Sequence, residues 1–158
     1  MNTAPEVSVV LPCLNEALTV GYCVQQALKA LADSGLRGEV IVSDNGSSDG
    51  SPELAKKAGA RIVHESRRGY GSAYLCGIAA ARAPIIIMAD ADNTYDLHEI
   101  PRLVAKLREG YDIVLGSRLG GVIHPGAMPW LHRYVGNPIL TGLLNRLFQL
   151  HLQDAHTG

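Results

Sequence analysis

Four short apolar runs, each followed by a polar or glycine-containing loop and then a stretch of helical spacing, constrain this chain more than any other feature. Val7 to Leu11, Val40 to Ser43, Arg61 to His64 and Ile85 to Ala89 read as strands. Between them Thr19 to Ala32, Pro52 to Ala58 and Ser72 to Ala81 read as helices, the second entered through Ser51 as a cap. Leu97 to Arg108 supplies a further helix and Ile113 to Leu115 a further strand. This rhythm predicts an α/β domain built on a parallel, doubly wound sheet with right-handed crossovers. Such sheets bind ligands beyond the carboxyl ends of their strands. The residues that end each apolar run are therefore the candidate site.

The fourth run ends most abruptly. Ile85-Ile86-Ile87-Met88-Ala89 leads straight into Asp90-Ala91-Asp92. Two carboxylates spaced by one small residue, delivered to the sheet rim by an apolar strand, suit a divalent cation bridging phosphate oxygens. The plainer alternative is a strand entering a helix-capping loop, since Asp also caps helices well. An Asp pair followed by Asn93 and Thr94 favours metal and phosphate.

The 158 residues suffice for one domain with a real core. A net charge of -1 argues against a nucleic-acid partner, which would call for a basic face. Cys13, Cys23 and Cys76 are odd in number and lack metal-ligand spacing, which predicts reduced thiols and a cytoplasmic setting. Met1 to Glu6 carries no basic stretch before the first apolar run, so a secretory signal is not expected. No segment reaches the roughly 18 uninterrupted apolar residues of a membrane span.

The character changes after Gly116. Leu119 to Gly126 is rich in glycine and has a proline, as a loop would be. Trp130 to Leu152 is helical in period and strongly apolar, interrupted by Pro138 and Arg146. It reads as a core helix, with a helix facing a membrane surface as the alternative. His124, His132, His151 and His156 share no zinc-ligand spacing and read as solvated or core histidines.

Several nucleotide- and phosphate-handling families can be weighed against these loops. The first strand is followed by Pro12-Cys13-Leu14-Asn15-Glu16, with no glycine before Gly21, which excludes a dinucleotide fingerprint. No Gly-Lys-Ser/Thr occurs, which excludes a P-loop. Asp90-Ala91-Asp92-Asn93-Thr94 matches the Asp-x-Asp-x-Thr signature of haloacid-dehalogenase-type phosphatases. That family places the motif on its first strand and adds a downstream lysine and acidic pair, so it ranks a distant second. Taken in order, Pro12-x-Leu14-Asn15-Glu16, Asp44-Asn45-Gly46-Ser47-Ser48-Asp49-Gly50-Ser51, Arg68-Gly69-Tyr70-Gly71-Ser72-Ala73 and Asp90-Ala91-Asp92 resemble the strand-end motifs of family 2 glycosyltransferases of the GT-A fold. Gly116-Ser117-Arg118 and Asp154-Ala155-His156-Thr157-Gly158 fit the subgroup that uses polyprenyl phosphates, which includes dolichol-phosphate mannose synthases.

The resemblance implies a role for each position. Pro12, Leu14, Asn15 and Glu16 would wall the nucleoside, with Glu16 accepting from ribose hydroxyls; a helix-entry turn remains open for Asn15 and Glu16. Asp44 and Asn45 would meet the base edge, while Ser47 to Ser51 also fits an ordinary turn and N-cap. Arg68, with Gly69 and Gly71, would approach the ligand closely. Asp92 would bind Mg2+ or Mn2+ directly, Asp90 through water or the ribose, with Ala91 between them and Thr94 as a further candidate ligand. Arg118 and Arg133 would hold the acceptor phosphate, and Asp154 would orient the acceptor or the metal.

The function so implied is metal-dependent, inverting transfer of a hexose from a nucleotide-diphosphate sugar, of UDP-glucose or GDP-mannose type, to a polyprenyl phosphate. A polysaccharide or protein acceptor, or a nucleotide-sugar-binding fragment without turnover, are the alternatives. Residues 1–118 would form the nucleotide-sugar half and 119–158 an acceptor-side loop and apolar helix, together the N-terminal part of a longer architecture. Contact with the cytoplasmic membrane face and self-association are further expectations.

Overall fold

The computed structural model describes residues 4–116, 137–149 and 152. The chain divides into two compact units after Ala105. In the first, β1 (Val7–Cys13), α1 (Val20–Asp33), β2 (Gly38–Asp44) and α2 (Ser51–Lys57) follow one another. Then come β3 (Arg61–His64), α3 (Tyr70–Ala80) and β4 (Ile85–Met88). A 3-10 turn at Leu97–Glu99 leads into α4 (Ile100–Leu107).

The four strands form one sheet in the order β3-β2-β1-β4, every neighbour parallel. The chain moves outward from β1 through β2 to β3, then returns to lay β4 on the other side of β1. The order reverses between β1 and β4, and an open α/β sheet has its ligand crevice at such a reversal. Every residue of β1 is buried, as an apolar strand covered on both faces should be. Val7, Val9 and Leu11 pack into the larger core with α1, α2 and α4, whereas Val10 meets Ile41 and Tyr74 on the α3 side.

The core, rather than the caps, fixes α1. Thr19 makes no side-chain cap bond there, and a cap is worth only about 1 kcal/mol. Val20, Cys23, Val24, Ala27, Ala30 and Leu31 are all buried on one face. Burying a Val or Leu is worth roughly 1.5–3 kcal/mol each, so packing outweighs the missing cap. On the other face, α3 approaches unusually closely. A Cβ on Gly77 would stand 2.4 Å from Val10 Cγ1, so glycine is what lets this helix sit against β1.

Several local expectations are corrected. β1 and β2 each reach their last residue, Cys13 and Asp44, in register with one another. α3 begins at Tyr70 rather than Ser72, which places Tyr70 and Tyr74 one turn apart on a helix. Ser51 is the first residue of α2 and not its cap; Gly50 occupies the cap position with φ +86°. Ile113 to Leu115 form no strand, and Ile113 and Leu115 are exposed. A short apolar run does not by itself make a strand without a sheet edge to pair with.

In the second unit, Lys106 Nζ bonds to Glu109 Oε2 at 2.6 Å and lies 4.9 Å from the centre of the Tyr111 ring. α5 (Asn137–Phe148) is the described part of the expected apolar helix. Pro138 falls in its first turn, where a missing N–H costs nothing, so it does not interrupt the helix. Within it the Asn145 amide exchanges two hydrogen bonds of 2.9 Å with the backbone of Leu152, beyond the helix. Ile139, Leu140, Leu143, Leu147 and Phe148 are exposed. No helix among the described residues is long and apolar enough to cross a membrane.

Candidate nucleotide-sugar site

The carboxyl ends of all four strands open on one edge of the sheet, and a cavity of about 320 Å³ lies there, between the β1 and β4 loops. Pro12, Cys13, Leu14 and Glu16 contribute from β1 and its loop; Asn45 comes from β2, Arg68 and Gly69 from the β3 loop. Tyr70 and Ala73 contribute from α3, and Asp90, Ala91 and Asp92 from the loop after β4. Sequence motifs separated by up to 80 residues thus meet on one wall. Asn15, Asp44, Gly71 and Thr94 do not line the cavity. Arg118, Arg133 and Asp154 lie outside the described residues.

The Asp-x-Asp loop owes its shape to its small residues. Ala89 and Ala91 are buried in the main core, and the Cys23 thiol donates to the Ala91 carbonyl at 3.4 Å. With the alanines anchored inward, Asp90 and Asp92 are left at the cavity. Asp92 Oδ1 accepts from the Thr94 backbone N–H at 2.8 Å, an Asx turn that steadies the carboxylate. Asn93 sits at φ 65°, a left-handed conformation that asparagine tolerates. Asp90 Oδ1 accepts from the Tyr70 hydroxyl at 2.7 Å and from the Tyr74 hydroxyl at 3.2 Å. Burial, before the nearby charge of Asp90, pushes the Tyr70 phenol up to about 12 and the Tyr74 phenol higher still. Both phenols therefore remain protonated donors at neutral pH.

The β2 loop is built differently. Asp44 is buried and accepts from the Gly46 and Ser47 N–H groups at 3.2 and 3.1 Å, with His64 Nδ1 at 3.3 Å. Burial alone would raise its carboxyl, but the bonds from Ser47, His64 and Gly46 outweigh that and hold it below the ordinary value. Asn45 donates both amide hydrogens, to the Glu65 and Arg67 carbonyls at 2.8 Å each, and its oxygen accepts from Gly69 N–H at 2.7 Å. Its side chain therefore ties the β2 loop to the β3 loop, with both its donors engaged by protein carbonyls.

The same loop also clasps the end of β1. Ser47 Oγ accepts from Asn15 N–H, Ser51 Oγ from Glu16 N–H and Asp49 Oδ2 from Ala17 N–H, each at 2.9 Å. Asn15, at φ 61°, returns its own oxygen to Ser48 N–H at 2.9 Å. Asp49 is held below the ordinary range chiefly by its bond from Ser51. This lattice presents Leu14 and Glu16 to the cavity. Gly46, at φ +90°, leaves room for Arg68, whose Nη2 would stand 3.4 Å from a Cβ there.

Among the described residues the cavity wall carries three carboxylates, from Glu16, Asp90 and Asp92, against one guanidinium, that of Arg68. A bare polyphosphate would be repelled by that set, whereas a phosphate-bound divalent cation would be attracted. Asp90 Oδ2 and Asp92 Oδ2 have no hydrogen-bond partner among the described residues, and hard oxygen donors of this kind suit Mg2+ or Mn2+. No group of three or more His, Cys, Asp or Glu able to hold a metal occurs among the described residues. One or two carboxylates completed by substrate phosphates is the usual arrangement for Mg2+, so the residues present fit.

Residues 8–158 match the Glycosyl transferase family 2 domain. The chain belongs to that family. Its relatives include the low-salt glycan biosynthesis hexosyltransferase Agl6 of Haloferax volcanii, 45% identical over 98% of this chain and 38% of that protein. The dolichyl-phosphate hexose transferase of the same organism is 34% identical over 99% of this chain and 65% of its own length. The chain thus spans from about two fifths to just under two thirds of these two relatives. Among solved structures, glucosyl-3-phosphoglycerate synthase from Mycobacterium tuberculosis, in complex with Mn2+, UDP-glucose and phosphoglyceric acid, superposes with a TM-score of 0.66. It is 30% identical, over 90% of this chain and 52% of that one. The GT-A fold of this family 2 chain follows from the parallel sheet and this likeness together. The ordered motifs contain Tyr70 and Ala73, and Cys13 lies within the first of them, but the resemblance gave none of the three a role, and all line the cavity. Placing α3 two residues earlier would have exposed the pairing of Tyr70 with Tyr74.

Proposed function

We propose that this chain binds a nucleotide-diphosphate sugar in the strand-end cavity and transfers its hexose to a polyprenyl phosphate, inverting the anomeric centre. The observation that carries this reading is the pair Asp90 and Asp92, each with an oxygen that has no partner among the described residues, lining one cavity with Arg68 and Glu16. The names of the two Haloferax relatives support a hexose as the group moved, and one of them supports a lipid phosphate acceptor. The Mn2+ and UDP-glucose in the related synthase support the metal and the donor class.

On this reading Asp92, with Asp90 beside it, would hold Mg2+ or Mn2+, whose positive charge would neutralise the diphosphate of the leaving group. Glu16 would accept from the ribose hydroxyls, and Leu14 and Pro12 would cover the nucleoside. Arg68 would bring a guanidinium to the donor phosphates. With the Asn45 amide engaged, base contact would come from neighbouring backbone groups and from the loop that Asn45 holds. Arg118 and Arg133 would bind the acceptor phosphate bidentately. Its oxygen attacks the anomeric carbon as the bond to the nucleoside diphosphate breaks, the diphosphate leaving with the electron pair. A phosphate is already ionised near neutral pH, so Asp154 would orient it rather than remove a proton. We place the reaction at the cytoplasmic face of a membrane, where such a lipid would be met.

Calorimetric titration with UDP-glucose and with GDP-mannose, each with and without Mn2+, tests the donor half. Mn2+-dependent binding of one of them is expected; binding of neither would remove the reading. Transfer to a polyprenyl phosphate, compared with 3-phosphoglycerate as acceptor, tests the other half. Transfer to 3-phosphoglycerate alone would replace the lipid. Substituting Arg118 should harm acceptor use more than donor binding, and equal loss would move that arginine to the donor side.

A further inference from the structure

The geometry points to Tyr70 and Tyr74 as positioning residues of the donor site, which hold one oxygen of Asp90 so that the other faces the ligand. This rests on the reading of the cavity as a nucleotide-sugar site. The two phenols stand four residues apart on α3, their rings edge to face with centroids 4.9 Å apart, and both reach the same atom, Asp90 Oδ1. A carboxylate on a loop after a strand can turn about its χ2 torsion. Two donors converging on one oxygen remove that freedom and leave Oδ2 as the atom available to ligand.

The two tyrosines differ in what else they do. Tyr74 is buried and packs with Val10 and Ile41, so its ring belongs to the core as well as to the site. Tyr70 is 57% exposed and lines the cavity. More than half of Tyr70 is exposed and its ring is not part of the core cluster that holds Tyr74, so the fold has less need of Tyr70 than of Tyr74. The close approach permitted by Gly77 sets the height of α3 against β1 and hence the reach of both hydroxyls. Donation to Oδ1 also draws charge from that oxygen, which separates Asp90 from Asp92, whose Oδ1 meets, among the described residues, only a backbone N–H.

Tyr70→Phe keeps the ring and removes one donor, and it is the cleanest test. The full chain would be titrated with Mn2+ and whichever of UDP-glucose and GDP-mannose the wild type binds, alongside Tyr70→Phe, Asp90→Asn and the double variant. A hydrogen bond to a charged group is worth about 1.5 kcal/mol or more, so Tyr70→Phe should weaken binding roughly tenfold with an unchanged melting temperature. In the Asp90→Asn background the same change should have little further effect, because the two residues act through one contact. Equal losses in both backgrounds would make Tyr70 an independent contact or a structural residue and overturn the proposal. So would wild-type affinity in Tyr70→Phe. Failure of the wild type to bind either sugar nucleotide would instead remove the reading of the cavity, and this proposal with it.

Discussion

The loops after β2 and β4 leave the same edge of the same sheet, and both are rich in Asp and Asn, yet they are put to opposite uses. After β2, Asp44, Asn45, Ser47, Asp49 and Ser51 direct their hydrogen bonds into protein, bracing the β1 loop on one side and the β3 loop on the other. After β4, the alanines go inward and each aspartate keeps one oxygen without a partner among the described residues. The lesson is that composition at a strand end does not tell scaffold from site. What tells them apart is whether the polar atoms are already satisfied.

Substitution at the β4 loop should therefore remove ligand and spare the fold. Asp92→Ala is expected to abolish Mn2+-dependent sugar-nucleotide binding in calorimetry, the largest effect of all. Its stability should fall by no more than about 1 kcal/mol, the worth of the lost Asx-turn bond to the Thr94 N–H. Intact binding would end the contrast between the loops.

At the β2 loop the reverse should hold. Asn45→Ala strands the Glu65 and Arg67 carbonyls and the Gly69 N–H, and should cost about 1–3 kcal/mol in urea unfolding. Binding should weaken only indirectly, through Arg68. A stable Asn45→Ala that discriminates poorly between UDP-glucose and GDP-mannose would return Asn45 to the base edge.

Gly77→Ala bears on both loops, because the first turns of α3 and the Gly69 before them meet Asn45 on one side and Asp90 on the other. Alanine gains about 1 kcal/mol in helix propensity, but its methyl would stand 2.4 Å from Val10 Cγ1. Overpacking costs typically about 1–3 kcal/mol, so the net expectation is modest destabilisation. Binding should also fall as Tyr70 and Tyr74 shift off Asp90. A lower melting temperature with unaltered binding would uncouple α3 from the site.

The smallest effect is acid sensitivity. The folded Asp44 carboxyl lies below its ordinary value of 3.8, so its stabilising contribution is complete above that value and lost as pH falls through the folded one. As pH falls below about 4 the wild type should lose more stability than Asp44→Asn, read from urea midpoints. Parallel losses would show that Asp44 is not a brace. Glu39, also held low against burial by bonds from Arg61, Ser8 and the Arg82 N–H, shifts in the same direction but is common to both proteins.

The sequence by itself determined the alternation of strands and helices, because apolar runs of strand length and helical spacing are local properties of the chain. It also located Asp90-Ala91-Asp92 at a strand end, and its ordered motifs pointed to the family. Only the tertiary structure decided that β4 lies beside β1, that Ile113 to Leu115 stay out of the sheet, and that Tyr70 joins Asp90. It alone assigned Asn45 to Gly69 and Asn15 to Ser48, contacts that join residues 24 and 33 positions apart. A side-chain amide or carboxylate can serve a neighbour or a ligand with equal chemistry. Which of the two it serves depends on the atom that folding brings within 3 Å, and local sequence does not encode that distance.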